Sequence, residues 1–588
     1  MRSVALWLGS PDRPLFAWLD VPDDGLVHGA AVICPSMGLE AAYSTRGLRH
    51  LAHRLVGAGW AALRVDYAAT GDSAGAWTDT HLVADWLAGV RAGIEYVRDL
   101  GVTRTAVVGL RIGATLAAAE LARGGPVDDF VLWDPCASGR AFLREQTALS
   151  AFRRDQAADW GVQRVGESPA SPERSEAGSV EAPGAMFSAA TVSDLTPVAI
   201  SGTDQGLATR ELVLGRRGRS LPRALREHLT LPHVDAAEVE GQEALYEDLP
   251  ETPWAALDRI ADWLGEGNGP RVQIALPEAG TSAVHRSDGR GGVRERAMEF
   301  GPARLFGMVS EPEDQPDDHS RPPPPTVIFL NVGLLNHHGP DRLWVDLARA
   351  CASGGHMRCV RVDLNGLGDS PTRPGRAELL NFPVDALEDI SDVRRAVTDD
   401  GGEGVVLVGV CSGADHAVAS ALSQRATSVC MANPAMSPTW WGGATARAPE
   451  PEEAESGASQ SRGATAPWYW RLLVRFKRLQ GATRWIPNWG WWVAKRWFMK
   501  GSPVRTLEQL AQSGVDVLLV TGRNEEGRVP KGEHRRLRSL IAAGGVRREI
   551  LPHLEHSLLD RESRDQAAEV LTGYIVGFGR PASPSADA

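Results

Sequence analysis

The chain has 588 residues, 43% of them apolar and 23% charged, and a formal net charge of −12. That length suits two large α/β units with sizeable cores, and the acidic balance argues against general nucleic-acid binding. Six cysteines in so long a chain do not make a disulfide framework, no apolar run reaches the length of a spanning helix, and the N-terminal stretch, broken by Gly9 and Pro11, lacks a signal-peptide core, so a cytoplasmic protein is expected.

In chain order, the first half alternates short apolar runs with helix-compatible segments. Ala31-Val32-Ile33 precedes the loop Cys34 to Gly38. Leu63-Arg64-Val65-Asp66 leads to Gly71-Asp72-Ser73. Thr105 to Val108 ends in Gly109-Leu110-Arg111-Ile112-Gly113, and Phe130 to Pro135 follows. A polar segment at 154–185 reads as a surface insertion, and Glu211 to Gly215 as a further strand. Residues 266–295, rich in Gly, Ser and Arg, and 311–325, acidic and then proline-rich, read as loops.

The second half repeats the first. Val327 to Leu330 precedes Asn331-Val332-Gly333. Val360-Arg361-Val362-Asp363 leads to Gly368-Asp369-Ser370. The first loop and the aspartate lie at 34 and 66 in one half and at 331 and 363 in the other. Val405 to Val408 ends in Gly409-Val410-Cys411-Ser412-Gly413, and Val429 to Pro434 follows. So many matches in one order indicate duplication. Strands alternating with helices imply parallel βαβ units.

Strand, Gly-x-Cys-x-Gly and helix make the context of a nucleophile elbow, a sharp turn that lifts its central residue above the sheet at a helix N-terminus. In the second half that residue is Cys411. In the first it is Arg111, which stays protonated and is no nucleophile. Other readings stand beside this one: Cys411 as a small apolar residue, and Ser412, one position late, as the nucleophile.

With these motifs the chain resembles a tandem α/β-hydrolase, closest to the serine-aminopeptidase-like hydrolases, including those associated with exosortase-type exopolysaccharide systems. The resemblance covers residues 4–265 and 293–580. It implies two units, each a mostly parallel doubly wound sheet with helices on both faces and a lid insertion: a degenerate unit at 1–265, a flexible linker at 266–292, a second unit at 293–580 with its lid at about 437–505, and a disordered tail at 581–588. The superfamily's order of nucleophile, acid and histidine implies Cys411, then Glu525 just past the strand Val515 to Val520, with Glu526 as the alternative. The histidine is then His556 in the loop after Glu549 to Pro552, rather than His553. The oxyanion donors would be the backbone N–H groups of Ser412 and of Val332 or Gly333. Asn331, His337, His338, Arg342, Trp440 and Trp441 are candidates for lining the substrate pocket.

In the first half Arg216-Arg217 replaces the acid, and the loop Val239 to Ala244 has no histidine. That unit reads as a pseudo-hydrolase. Arg111 there either binds an anionic group or closes an internal ion pair with Asp134 or a neighbour. Residues 467–500 hold seven of the chain's 19 tryptophans, Trp468 and Trp492 among them, and basic residues such as Arg471, Arg475 and Arg478 at helical spacing. This segment is read as a lid over the pocket, as a contact for an anionic membrane or lipid-linked substrate, or as a contact with the other unit. No metal spacing, P-loop or dinucleotide fingerprint stands out, so no cofactor or metal is expected. The expected activity is that of a cysteine-dependent acyl hydrolase or acyltransferase on an ester or thioester. The alternatives are a non-catalytic scaffold in polysaccharide or secondary-metabolite assembly and, ranked lower, a peptidase.

Overall fold

The computed structural model describes residues 1–159, 177–200, 206–246, 250–276, 282–286, 291–314, 323–399, 404–435, 502–523, 531–552 and 554–578. The first half builds a sheet from β1 (Arg2–Leu8), β2 (Leu15–Val21), β3 (Gly29–Cys34), β4 (Trp60–Val65), β5 (Thr105–Leu110), β6 (Val127–Trp133), β7 (Ala208–Arg216) and β8 (Val234–Val239), in the spatial order β1-β2-β4-β3-β5-β6-β7-β8. The second half adds β9 (Ser282–His285), β10 (Val293–Phe300), β11 (Leu305–Pro312), β12 (Thr326–Phe329), β13 (Cys359–Val362), β14 (Val405–Val410), β15 (Ser428–Ala432), β16 (Asp516–Gly522) and β17 (Arg547–Leu551). Their order is β9-β10-β11-β13-β12-β14-β15-β16-β17. Apart from one extra edge strand, β9, the two orders are the same. Both sheets begin with antiparallel strands and continue parallel from β4 and β13 onward.

Helices cover both faces, as a parallel sheet requires. In the first unit α1 (Leu39–Gly57) lies on one face and α2 (Leu82–Asp99) and α3 (Ile112–Gly124) on the other. α4 (Gly139–Asp159) and α5 (Trp254–Gly265) complete that unit's helices used below. In the second unit α6 (Leu343–Gly355) and α10 (Arg561–Val576) flank one face, and α7 (Ala386–Asp399), α8 (Ser412–Ser423) and α9 (Pro503–Gln512) the other. All six residues of β14 are buried, which accounts for its unbroken apolar run. Each fully buried Val or Leu in such a strand contributes roughly 1.5–3 kcal/mol.

The stretch expected to be a flexible linker is partly sheet. Val272–Gln273 pairs antiparallel with Leu26–Val27, and β9 pairs with β10. Neither pairing has a periodic apolar pattern to announce it, because both strands are short and sit at sheet edges. The expected lid of the second unit and the tail at 581–588 lie outside the described residues, Ser502 to Arg505 at the lid's end excepted. No helix among the described residues is long and apolar enough to cross a membrane.

The two units meet through equivalent surfaces. Arg64, on β4, donates to Asp369 of the second unit at 2.7 Å, and its counterpart Arg361, on β13, donates to Asp72 of the first. Arg46 of α1 donates to the carbonyls of Gly368 and Ser370, while Arg349 of α6 donates to those of Asp72 and Ser73. Phe16 and its counterpart Phe306 face each other with ring centroids 6.4 Å apart. Supporting acids come from different strands: Asp20 on β2 beside Arg64, and Glu295 on β10, 2.8 Å from Arg361. His337 adds an unmatched contact. Its two ring nitrogens lie 2.7 Å from Asp363 and 2.8 Å from Asp72.

Burial alone would lower the His337 pKa, but Asp363 and Asp72 together raise it to about 10. Burial would raise Asp72, but Arg361, His337 and His338 hold it well below the usual carboxylate range. A raised histidine pKa gives stability that is full below about 6.5, the ordinary value, and is lost as pH rises through about 10. The thermal midpoint of the wild type relative to His337→Asn should therefore fall over that interval, and a constant difference would refute the assignment. Arg361→Met should leave Asp72 and Glu295 short of a buried partner and cost about 3–5 kcal/mol in urea unfolding. A loss below 1 kcal/mol would show that the clasp is not needed for docking.

Candidate active site

The second elbow forms at the end of β14. Cys411 has φ 53° and ψ −118°, and Arg111 in the first elbow has φ 56° and ψ −120°. Such a conformation costs a non-glycine residue roughly 1–3 kcal/mol. The flanking glycines make it feasible. A Cβ on Gly409 would lie 2.2 Å from the Gly413 carbonyl carbon, and one on Gly413 would lie 2.4 Å from the Asn331 carbonyl oxygen. The same backbone bonds hold both tips: Cys411 N–H donates to Ala432 O at 3.1 Å, and Arg111 N–H to Trp133 O at 3.0 Å.

Cys411 is partly exposed, whereas the other five cysteines are buried. Burial pushes the Cys34 thiol up to about 12 and those of Cys136, Cys359 and Cys430 higher than the ordinary value. The thiol of Cys411 faces His556, with Nε2 3.2 Å from Sγ. The two residues come from separate loops, after β14 and after β17.

The histidine loop is tied down from several sides. Asn433, directly after β15, donates from Nδ2 to Glu555 O at 3.0 Å and accepts from Gly522 N–H at 3.1 Å. Glu555 N–H donates to Ser563 Oγ at 2.7 Å. Asn433 thus couples the end of β16 to the histidine loop. Sequence reasoning passed over it; the signal was the Asn-Pro pair after an apolar strand, and its φ of 41° is one that asparagine tolerates. Glu525, Glu526 and His553 lie outside the described residues, as do Trp440 and Trp441.

Ser412 is buried, and its Oγ accepts from Gly333 N–H at 3.1 Å. That bond places Ser412 as a support for the loop after β12. It also engages the Gly333 N–H, which was one of the two expected oxyanion donors on that loop; the other, Val332, is buried beside it.

Asn331 and His337, both expected to line a pocket, do not. Asn331 is buried and pins its own loop, donating to Leu335 O and Asp363 Oδ1 and accepting from Leu364 N–H. His337 is buried in the clasp between the units. Arg342 is buried too, and donates to the carbonyls of Ser73 and Gly75 in the first unit. His337 and Arg342 find partners in the other unit, so their local sequence gives no sign of the use. His338 stays partly exposed, 3.2 Å from Asp72, and with Arg342, Asp66, Leu335 and Leu559 it lines an inter-unit cavity of about 110 Å³.

Arg111 is buried among acids. It donates to both oxygens of Glu40, at 3.2 and 3.3 Å, and to Glu145. The internal ion pair is therefore the reading that holds, with Glu40 and Glu145 as its main partners and Asp134 more distant at 3.7 Å. Asp134 itself takes Arg216, at 2.6 Å. His228 and His233 both flank Glu211 instead.

Among the described residues, Asp72, His337 and His338 are the one cluster with metal-ligand types close together. Its donors do not fit a cation well. Both nitrogens of His337 already donate to carboxylates, and Arg361 already neutralises Asp72.

No protein-family model matches the sequence, and no curated protein matches it. Solved structures similar to it include Est1E from Butyrivibrio proteoclasticus with bound ferulic acid, at 16% identity and a TM-score of 0.34, covering 45% of this chain and 98% of that one. A proline iminopeptidase from Mycobacterium smegmatis follows at 13% and 0.30, with 45% and 98% covered, and the Pyrococcus furiosus esterase Pf2001 at 14% and 0.30, with 45% and 92% covered. The α/β-hydrolase architecture rests on the strand order and the elbows described above.

One accessible thiol among six makes a direct prediction. Native protein should react with one equivalent of Ellman's reagent, Cys411→Ala with none, and denatured protein with six. Prompt reaction of a second native thiol would contradict the burial described here.

Proposed function

We propose that the second unit is a cysteine-nucleophile acyl hydrolase or acyltransferase acting on an ester or thioester. The observation that carries this reading is the 3.2 Å approach of His556 Nε2 to Cys411 Sγ at the tip of a strained elbow. In the reaction, His556 takes the thiol proton as sulfur attacks the acyl carbonyl. The tetrahedral intermediate puts its oxyanion against backbone N–H groups, with those of Ser412 and Val332 as the donors proposed. Its collapse breaks the bond to the leaving alcohol or thiol, which leaves with the proton from His556, and a thioester remains on Cys411. Water or an acceptor nucleophile then gives up a proton to His556, attacks the thioester and restores the thiol.

Glu525 is the proposed orienting acid, with Glu526 as the alternative. Its strand, β16, is bonded through Asn433 to the histidine loop, which supports that placement. A thioester intermediate is more open to thiols and amines than an oxygen ester, so transfer is proposed alongside hydrolysis. The tryptophan-rich basic segment at 467–500 favours an apolar or lipid-linked acyl group and a peripheral contact with anionic membrane. The first unit, with Arg111 at its elbow, is proposed to be non-catalytic.

The test is intact-protein mass spectrometry after p-nitrophenyl esters and acyl thioesters of graded chain length. An acyl increment confined to Cys411 is expected, with none in Cys411→Ala and turnover reduced roughly 10²–10⁴-fold in His556→Ala. Turnover that survives Cys411→Ala would sink the proposal.

A further inference from the structure

We propose that the lid of the degenerate first unit has become a brace that positions His556, with Glu181 as its positioning residue. The inference rests on the catalytic reading above. It begins with a hairpin, Val180–Ala182 and Ala185–Phe187, closed by Pro183-Gly184 and set between β6 and β7, where a hydrolase unit carries its lid.

The hairpin is fixed on its inner side by the first unit. Phe187 is fully buried, with its ring against Trp77 and Phe142 at 5.6 and 5.9 Å between centroids. Ser150 of α4 donates to Glu181 O at 2.9 Å, and the N–H of Leu39, at the start of α1, donates to Pro183 O at 2.9 Å. Its outer side grips the histidine loop. Gly184 N–H donates to Leu559 O at 3.2 Å, and Glu181 Oε1 accepts from Arg561 N–H at 2.9 Å. Arg561 opens α10, so the Glu181 carboxylate also sits at a helix N-terminus, where negative charge is favoured.

The histidine loop is thus held upstream by its own unit, through Asn433 and Ser563, and downstream by the first. Arg111 completes the path. It joins Glu40 of α1 to Glu145 of α4, the two helices that seat the hairpin, and Gln146 of α4 adds a 2.8 Å bond to Glu40. The residue that ended chemistry in the first elbow ties together the support for the histidine of the second.

What the brace needs from the Glu181 side chain is an oxygen that accepts from Arg561 N–H, so Gln should replace it and Ala should not. The experiment measures iodoacetamide alkylation of Cys411, located by peptide mass, across the pH range of imidazole titration, together with p-nitrophenyl ester turnover. The full chain is used as wild type, His556→Ala, Glu181→Ala and Glu181→Gln. Expected is a rate in Glu181→Ala that falls about tenfold to a hundredfold, toward that of His556→Ala and with its pH profile, while Glu181→Gln keeps the wild-type rate and profile. If Glu181→Ala also melts earlier, the retained rate of Glu181→Gln still marks the lost acceptor as the cause. Glu181→Ala matching the wild type while His556→Ala is slow would overturn the brace alone. Equal alkylation of wild type and His556→Ala would overturn the catalytic pair and the brace with it.

Discussion

Two arginines, each reaching across to the aspartate that is the counterpart of its neighbour's, set the arrangement on which the molecule depends. Arg64 with Asp369 and Arg361 with Asp72 are one contact made twice, and Arg46 and Arg349 repeat the pattern on the adjoining carbonyls. An interface in which a surface meets its own copy is the geometry of a twofold dimer. Here it is closed within one chain. Buried ion pairs add little net stability against an apolar substitute, yet they are costly to break singly. Their contribution is to docking geometry: neither unit can shift without stranding charge in both. The aspartate of each Gly-Asp-Ser turn is therefore tied to the interface, which accounts for its presence in both units.

Against that near-symmetry, the two elbow tips differ in chemistry and agree in backbone. A strained turn is ordinarily sustained because a nucleophile needs it. In the first unit it persists around Arg111, where Glu40, Glu145 and the bond to Trp133 O over-determine the conformation. There the strained turn serves ion pairing and packing. Asp134, at the position of Asn433, differs in the same way: in the second unit the amide links a strand end to the histidine loop, and in the first the acid neutralises Arg216.

What the sequence discloses follows from how local each constraint is. The elbows are legible because close backbone approach, to Gly413 at one glycine and to the Asn331 carbonyl at the other, admits little but glycine at 409 and 413. The central strands are legible because strands buried on both faces must be continuously apolar. The approach of His556 to Cys411 is legible because the resemblance places a histidine in the loop that follows the last strand. The interface roles of His337 and Arg342 were missed for the opposite reason. They sit beside an oxyanion-loop motif that suggests a pocket, but Asp72, Ser73 and Gly75, which engage His337 and Arg342, lie in the other unit. The partners of Arg111 are hidden likewise, since Glu40 and Glu145 lie on two different helices. The strands in 266–292 escaped because edge pairing of two to four residues leaves no period to detect.

The asymmetry and the clasp bear on each other. A histidine that must stay within a few tenths of an ångström of a thiol gains little from a loosely held neighbour, since a displacement of about 1 Å can cost a hundredfold in rate. A second unit docked by apolar contact alone would slide by such amounts, because apolar contact is not directional. Hydrogen-bonded charge pairs do not slide, and covalent linkage keeps the local concentration of the first unit high without demanding tight intrinsic affinity. With docking fixed that firmly, the hairpin of the first unit is held against the histidine loop of the second, and under the proposed function residues that touch no substrate bear on its chemistry.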